Sequence, residues 1–468
     1  MPVSLKKGIV LIMLANLLNL IVGLMNGFVL PKFLSIETYA MIKTYTLYST
    51  YAGFFHLGYL DGMYLKYGGK DMLSVNAKEY GKDFWNITFM QVVVSIVLGL
   101  VGIFLKDFVI FAFSIGLLFR NITSCYQMFF QATGEFKLYS SALNYGTFLS
   151  FVVSMLLVFV FHTDNYKLYI MAQVGASMVV VLYLGVLLNK KLSYFHNPCL
   201  SIQAFKDNIS SGFVLMIGNF SNNLFTSIDR WLVKILMTTF HFAAYSFAVS
   251  IDALITVFIT PLYVTLYNSF CKDHTSAKIK DIKKLVLMWG FVLAAFAFPA
   301  KWVVEHFLNK YEASMPLIFV LFSTQAFYAV IKGVYVNYFK ALKRQTQYFW
   351  QIMQMLVVAI CSSLLLYFIF KTMFSLAVAA LLTAVIWLLI NEYKHPELRF
   401  TMKDWIYIIT LLVAYLLSGL FLPTLIGMIS YLSLFILLNI IIMNSQTKKL
   451  KEMCFTYIQS KYPKKEMI

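Results

Sequence analysis

The sequence predicts an all-α polytopic membrane protein of about fourteen transmembrane helices, and three observations predict it. Apolar stretches run almost back to back, each close to the roughly 20 residues that a helix needs to cross the hydrocarbon core. No hydrophilic interval between them exceeds about twenty residues, which leaves no room for a nucleotide-binding domain, a soluble catalytic domain or a receptor ectodomain. The composition agrees: 60% of residues are hydrophobic and only 12% charged, and a mean hydropathy of +0.77 does not suit a water-exposed surface.

The first span, 8–30, follows Lys6 and Lys7 as a signal peptide would. Its apolar run continues to Leu30 with no small-residue cleavage site, so an uncleaved membrane helix is expected. Span 40–65 brings Lys43, His56 and Asp61. Gly23 and Gly27 in the first span, and Gly58 and Gly62 in the second, have GxxxG spacing and predict close helix packing. Spans 84–105, 108–131, 143–161 and 167–188 follow, with Arg120 inside the fourth. Span 209–231 carries asparagines and ends on Asp229 and Arg230. Span 241–267 contains Asp252 and is interrupted by Pro261, and span 284–305 by Pro299, so both are expected to kink or bend. Lys301 and Glu305, at i and i+4, read as a surface pair. Span 315–339 holds Lys332, and spans 350–370, 374–392, 404–423 and 425–443 complete the set. A tail with Lys448, Lys449, Lys451, Lys461, Lys464 and Lys465 reads as a solvated, lipid-facing segment.

The lysines and arginines orient this array. With the N-terminus in the cytoplasm, inside segments hold 27 basic residues, against Lys32, Lys106, Lys167, Lys234, Lys310 and Lys371 outside. A single missed helix would invert every later loop, so the bias supports the helix count and predicts both termini cytoplasmic. It also explains the net charge of +18, because basic residues beside an anionic inner leaflet hold topology. They are dispersed rather than gathered on a basic, aromatic-interleaved face, so no nucleic-acid partner is expected.

A shift of 203 residues lays the first span on the seventh without a gap, placing Asn16 on Asn219, Asn19 on Asn222, Asn26 on Asp229 and Ala40 on Ala243. This predicts two pseudo-symmetric six-helix bundles, 1–190 and 191–395, followed by helices 13 and 14 over 396–445 and a basic cytoplasmic tail, 446–468. Asn16, Asn19, Gly23 and Asn26 share one helical face, as do Asn219, Asn222, Asn223, Thr226 and Arg230. Amides facing lipid lose hydrogen bonds, so each stripe should face a partner helix or a wet cavity. Interhelical bonding explains any one asparagine; the same stripe on two equivalent helices points to a cavity.

Asp61, Arg120, Asp229, Arg230, Asp252 and Lys332 sit within or at the rim of apolar spans, where an ionised group costs at least about 2.5 kcal/mol. Arg120 and Arg230 stand out, because a guanidinium stays charged and its planar fork of donors suits phosphate oxygens. Pairing of Asp229 or Asp252 with Arg230, or snorkelling from the rim, is the structural alternative.

Other chemistry is missing. Seven histidines, His56, His162, His196, His241, His274, His306 and His395, form no HExxH pair, and neither a P-loop nor a G-x-S-x-G elbow occurs. Cys125, Cys199, Cys271, Cys361 and Cys454 have no paired spacing. The sequons at Asn86 and Asn121 fall at or within helices. No cofactor is called for.

Pro31, Lys32, Phe33, Leu34 and Ser35, then Tyr39, Leu57, Gly58 and Gly62, with Asp229 and Arg230 ending span 7 and Ala244, Tyr245 and Ser246 opening span 8, resemble the Wzx-type O-antigen and capsule flippases. These are the polysaccharide-transport branch of the multidrug/oligosaccharidyl-lipid/polysaccharide exporter superfamily. Ala40 departs from the glycine usual after that tyrosine. The resemblance implies two bundles enclosing a central cavity, and movement of undecaprenyl-pyrophosphate-linked oligosaccharide from the cytoplasmic to the outer leaflet of the bacterial cytoplasmic membrane by alternating access. It implies a transporter rather than an enzyme, with membrane lipids and other polysaccharide assembly proteins as partners. Arg120, Arg230 and Lys332 are then candidates for the pyrophosphate, and Asn16, Asn19, Asn26, Asn219, Asn222 and Asn223, with aromatic residues, for the sugars. Asp61, Asp229 and Asp252 are candidates for ion coupling. A drug/ion antiporter of the same fold, a lipid II flippase and a membrane oligosaccharide polymerase remain alternatives, though the last usually needs a large outer loop.

Overall fold

In the computed structural model, residues 21–196, 199–273, 275–449 and 452 are described, and among them every regular element is helical. The chain forms two compact units, Met1–Ser246 and Phe247–Ile468. Compactness thus groups residues 191–246 with the N-terminal helices; the division at residue 190 expected from the repeat stays a proposal about internal homology.

The first unit begins, over the described residues, with α1 (Ile21–Phe33). The second predicted span is not one helix. It is α2 (Ile36–Ser49), a 3-10 turn (Ala52–His56) and α3 (Tyr59–Tyr67), joined through Leu57 and Gly58, both with left-handed backbone. Ser35 caps α2 by accepting from the Thr38 amide. Then come α4 (Ala77–Phe104), α5 (Phe108–Ala132), α6 (Phe136–Phe159) and α7 (Tyr166–Leu192), with α6 extending before its predicted start. The seventh span is also divided, into α8 (Ile202–Phe225) and α9 (Ile228–Leu236). The stripe from Asn219 to Arg230 therefore crosses a break at Thr226 and Ser227 instead of following one helix face. α10 (Thr239–Lys272) crosses the boundary between the units and stays helical through residue 261, so Pro261 does not interrupt it.

Two packing features hold this unit. An aromatic core gathers Tyr59, Tyr67, Tyr80, Phe84, Tyr126, Phe129, Phe130 and Tyr194. Gly58, Gly62 and Gly212 let α3 and α8 meet backbone to backbone: a Cβ on Gly62 would lie 2.0 Å from the Asn208 carbonyl oxygen, and one on Gly212 2.0 Å from that of Gly58. The GxxxG spacing at Gly58 and Gly62 thus serves packing. α4 turns Phe89, Ile96, Leu100 and Ile103 outward, as a lipid-facing helix should.

In the second unit, α11 (Ser276–Ala294) and α12 (Ala297–Phe307) divide at Ala295 and Phe296, which places Pro299 in the first turn of α12, where its missing amide is tolerated. α13 (Met315–Val330) is buried on nearly every side, a π-helical turn (Ile331–Tyr335) follows, and α14 (Val336–Ala341) ends the span. α15 (Gln345–Phe370), α16 (Met373–Lys394), α17 (Met402–Phe421) and α18 (Thr424–Ile441) complete the unit. Lys301 is not a surface pair partner: it is 8% exposed and donates to the carbonyls of Gly419 and Leu422, each at 2.9 Å, with Glu305 at 3.9 Å. It satisfies carbonyls left open at the end of α17.

Among the described residues, eleven stretches are long and apolar enough to cross a membrane. The partly described first span and the divided second and seventh bring the total to the fourteen predicted. The chain is a multi-pass membrane protein.

Candidate substrate site

The break in the second span sets up the polar region of the first unit. It leaves backbone carbonyls without helical partners, and amides from two neighbouring helices meet them. Gln91 Nε2 donates to the Phe55 carbonyl at 3.1 Å, and Asn121 Nδ2 donates to the Ala52 carbonyl at 3.0 Å and to Gln91 Oε1 at 2.7 Å. Asn121 is 1% exposed, so this sequon residue holds the break open. Asn86 likewise exchanges hydrogen bonds with Ser201, as donor to its carbonyl at 2.9 Å and acceptor from its amide at 3.0 Å. Sequence reasoning missed both roles.

Beside the break, side chains of α2 meet those of α5 and α9. Tyr48 lies 6.0 Å from Phe113 and stacks on Trp231 at 5.6 Å; the Tyr51 hydroxyl meets that of Ser227 at 2.5 Å; Lys234 Nζ donates to Thr44 Oγ1 at 3.0 Å. Tyr51 and Phe54 also pack on Phe220, at 5.9 and 4.5 Å. The half-buried or exposed rings of Tyr48, Tyr51, Phe54, Phe220 and Trp231 make a continuous aromatic wall.

The predicted charges fall around this wall. Arg230, on α9, is half-buried, and its Nε is buried with no hydrogen-bond partner among the described residues. Lys43, on α2, lies within electrostatic range of Arg230. Arg120, on α5, is exposed and lies within electrostatic range of Tyr45. The acids, by contrast, are occupied. Asp229 accepts from the Arg230 amide at 2.8 Å and from the Tyr245 hydroxyl at 2.8 Å. Asp61, 3% exposed, accepts from Asn219 Nδ2 at 3.3 Å and lies 3.9 Å from His56 Nδ1.

Of the asparagines, Asn219 is thus tied to Asp61, while Asn222 and Asn223 are half-buried on α8 and the backbone carbonyl of each accepts from the Thr226 hydroxyl. Asn26 is half-buried with its Oδ1 unpartnered, and Asn16 and Asn19 lie outside the described residues.

The second unit has its own polar group. Asp252, on α10, accepts from Gln325 Nε2 at 2.7 Å and lies within electrostatic range of Lys332. Lys332 projects from the π-helical turn, with its ammonium 5.2 Å from the centre of the Tyr328 ring. Such turns frequently mark functional positions in helices.

Each unit also carries a buried charge cluster that the sequence did not reveal. Asp83, fully buried, accepts from Lys66 at 2.7 Å, Tyr67 at 2.6 Å, Asn208 at 3.0 Å and Tyr59 at 3.4 Å. Lys283, fully buried, donates to Glu392 at 2.5 Å, to the Leu398 carbonyl and to Tyr335 at 3.2 Å, and sits 3.6 Å from the Phe400 ring centre. Their signal was available: Lys66 and Asp83, and again Lys283 and Glu392, are opposite charges at same-side ends of predicted spans. Among the described residues no group of acids, histidines and cysteines could hold a metal ion.

The sequence profile of the polysaccharide biosynthesis protein family matches residues 5–272, more than half of the chain. The chain belongs to that family. Among solved structures, it is similar to a lipid II flippase, MurJ, in an inward closed conformation, with a TM-score of 0.71 and 12% identity over 92% of this chain and 98% of that one. It is also similar to an inward-facing multidrug resistance MATE family transporter of the MOP superfamily, with a TM-score of 0.57 and 11% identity over 82% of this chain and 95% of that one. At these identities the likeness shows the fold: a flippase or transporter fold. No curated protein matches the chain in sequence. Membership in the family and this fold support a transporter role rather than an enzymatic one.

Proposed function

We propose that the chain flips an oligosaccharide linked to undecaprenyl pyrophosphate from the cytoplasmic to the outer leaflet of the bacterial cytoplasmic membrane by alternating access. The observation that carries this reading is the orphan Nε of Arg230 beside an aromatic wall. A buried guanidinium donor without a partner calls for an acceptor that arrives from outside the fold. A pyrophosphate supplies it, with Lys43 and Arg120 adding positive charge in the same unit. The wall of Tyr48, Tyr51, Phe54, Phe220 and Trp231 suits the apolar faces of sugar rings, and Asn222 and Asn223 their hydroxyls. In the second unit, Lys332 is assigned to the same anionic substrate, and Asp252 to ion coupling together with Asp61 and Asp229.

The charge balance favours this over a cation exporter of the same fold. Asp61 and Asp229 already accept hydrogen bonds from protein groups, whereas Arg230 offers a free donor. Deletion in the native organism tests the reading. Lipid-linked surface-polysaccharide precursor should accumulate in the cytoplasmic leaflet while the cell wall is made normally. A lethal defect in wall synthesis would instead assign the chain to lipid II, and loss of drug resistance with normal surface polysaccharide would assign it to drug export.

A further inference from the structure

The second unit carries a groove on its outer surface. α15 and α16 leave between them a groove of about 520 Å³, lined by Gln354, Ile386, Leu389, Ile390, Tyr393 and Lys394. The α16 residues recur at three- and four-residue steps and so form one stripe, about 12 Å long at the usual helical rise. The stripe is apolar from Ile386 to Ile390 and closes on an aromatic ring and an ammonium group. Leu389 is 47% and Tyr393 78% exposed, so the groove opens toward the bilayer.

Its polar end is built. Arg399 Nε donates to the Glu392 carbonyl at 2.7 Å and Nη2 to the Tyr393 carbonyl at 3.0 Å, while the guanidinium lies 5.8 Å from the centre of the Tyr393 ring. These contacts fix the aromatic ring at the mouth of the groove. The bond from Gln351 Nε2 to Asn391 Oδ1, at 3.0 Å, sets the antiparallel register of α15 and α16 and puts the turn before α15 at the same end as Lys394. That turn contributes Lys343 and Arg344, both exposed. Lys343, Arg344 and Lys394 form no ion pair among the described residues. The opposite end of this helix pair carries only Lys371.

We infer that this groove is a site for an anionic phospholipid of the leaflet at the basic end. The phosphate sits on Lys394 with Lys343 and Arg344 nearby, Tyr393 lies at headgroup level, and an acyl chain runs along Leu389, Ile390 and Ile386. A basic cluster at a helix end beside an aromatic anchor, continuous with an apolar channel, matches an anionic headgroup and its tail in one molecule.

Native mass spectrometry of the full chain in detergent tests this, with phosphatidylglycerol and phosphatidylcholine of the same chain length as probes. Phosphatidylglycerol should bind more tightly, and its affinity should fall with added salt. Lys394→Ala should weaken it about fivefold, the equivalent of about 1 kcal/mol for one basic residue near a membrane surface, and Arg344→Ala a further fivefold. Leu389→Trp, which fills the groove, should weaken both lipids, and Lys371→Ala should weaken neither. Equal affinity for the two lipids, or unchanged affinity in Lys394→Ala, would overturn the inference. So would displacement of phosphatidylglycerol by undecaprenyl pyrophosphate at an equal or lower concentration, which would place the groove on the substrate path.

Discussion

Replacing Gly212 by alanine is the sharpest test of the fold around the candidate site. An added Cβ would meet the Gly58 carbonyl oxygen at 2.0 Å, the Gly62 nitrogen at 2.3 Å and the Asp61 carbonyl carbon at 2.9 Å. All three are backbone atoms, so no rotamer change relieves the contact. α3 and α8 must separate by about 1.4 Å for the closest approach to reach the 3.4 Å of ordinary contact. Overpacking of this kind costs about 1–3 kcal/mol, and the rigid partners place Gly212→Ala at the upper end of that range. The Asn219 amide, already 3.3 Å from Asp61, would pass out of hydrogen-bond range with the shift. Gly218, on the same helix, has nothing within 4 Å of its added Cβ. Gly218→Ala should leave stability unchanged or raise it by up to about 1 kcal/mol through helix propensity. The unfolding midpoint of each variant, measured in mixed detergent against increasing dodecyl sulfate, reads both effects. A Gly212→Ala protein as stable as Gly218→Ala would refute the backbone crossing of α3 and α8.

Glu392→Gln should destabilise the protein by about 3–5 kcal/mol, because it leaves the Lys283 charge buried and unneutralised. The same titration should show Lys283→Met combined with Glu392→Gln costing less than Glu392→Gln alone. Asn121→Leu removes the donors to the Ala52 carbonyl and to Gln91 and should cost about 1–3 kcal/mol. Faster amide exchange confined to the Ala52–His56 turn, read by hydrogen–deuterium exchange, would mark that loss as local. Lys301→Met uncovers the carbonyls of Gly419 and Leu422, so protease cleavage between α17 and α18 should quicken while the rest of the chain keeps its resistance.

The helix count was legible because it rests on hydrophobic length, which each span declares for itself. The breaks were less so. The turn at Ala52–His56 carries no proline to mark it, and its carbonyls are met by Gln91 and Asn121, which lie far away in sequence. The prolines were a mixed guide: α10 continues through residue 261, whereas the span holding Pro299 does divide, at Ala295 and Phe296, where Pro299 has no amide to donate to the carbonyl four residues back. Residue type marked Arg230, Asp229 and Lys332 as unusual, since charge inside an apolar run needs a partner. Which charges had one depended on packing. Tyr245 takes up Asp229 and Gln325 takes up Asp252, whereas the Nε of Arg230 is left over. The aromatic wall was invisible in a chain with 44 phenylalanines and 30 tyrosines, because only the fold selects the few that meet.

Translocation of a lipid-linked sugar phosphate through a site that includes Arg230 is open to direct measurement. Purified protein in liposomes carrying an undecaprenyl-pyrophosphate oligosaccharide, probed by an external enzyme that modifies only outward-facing sugar, measures it directly. Protein-dependent exposure of the sugar is expected, with its loss in Arg230→Ala protein that inserts and unfolds as the parent does. Cation-coupled dye efflux without sugar exposure, or full exposure in Arg230→Ala, would contradict it.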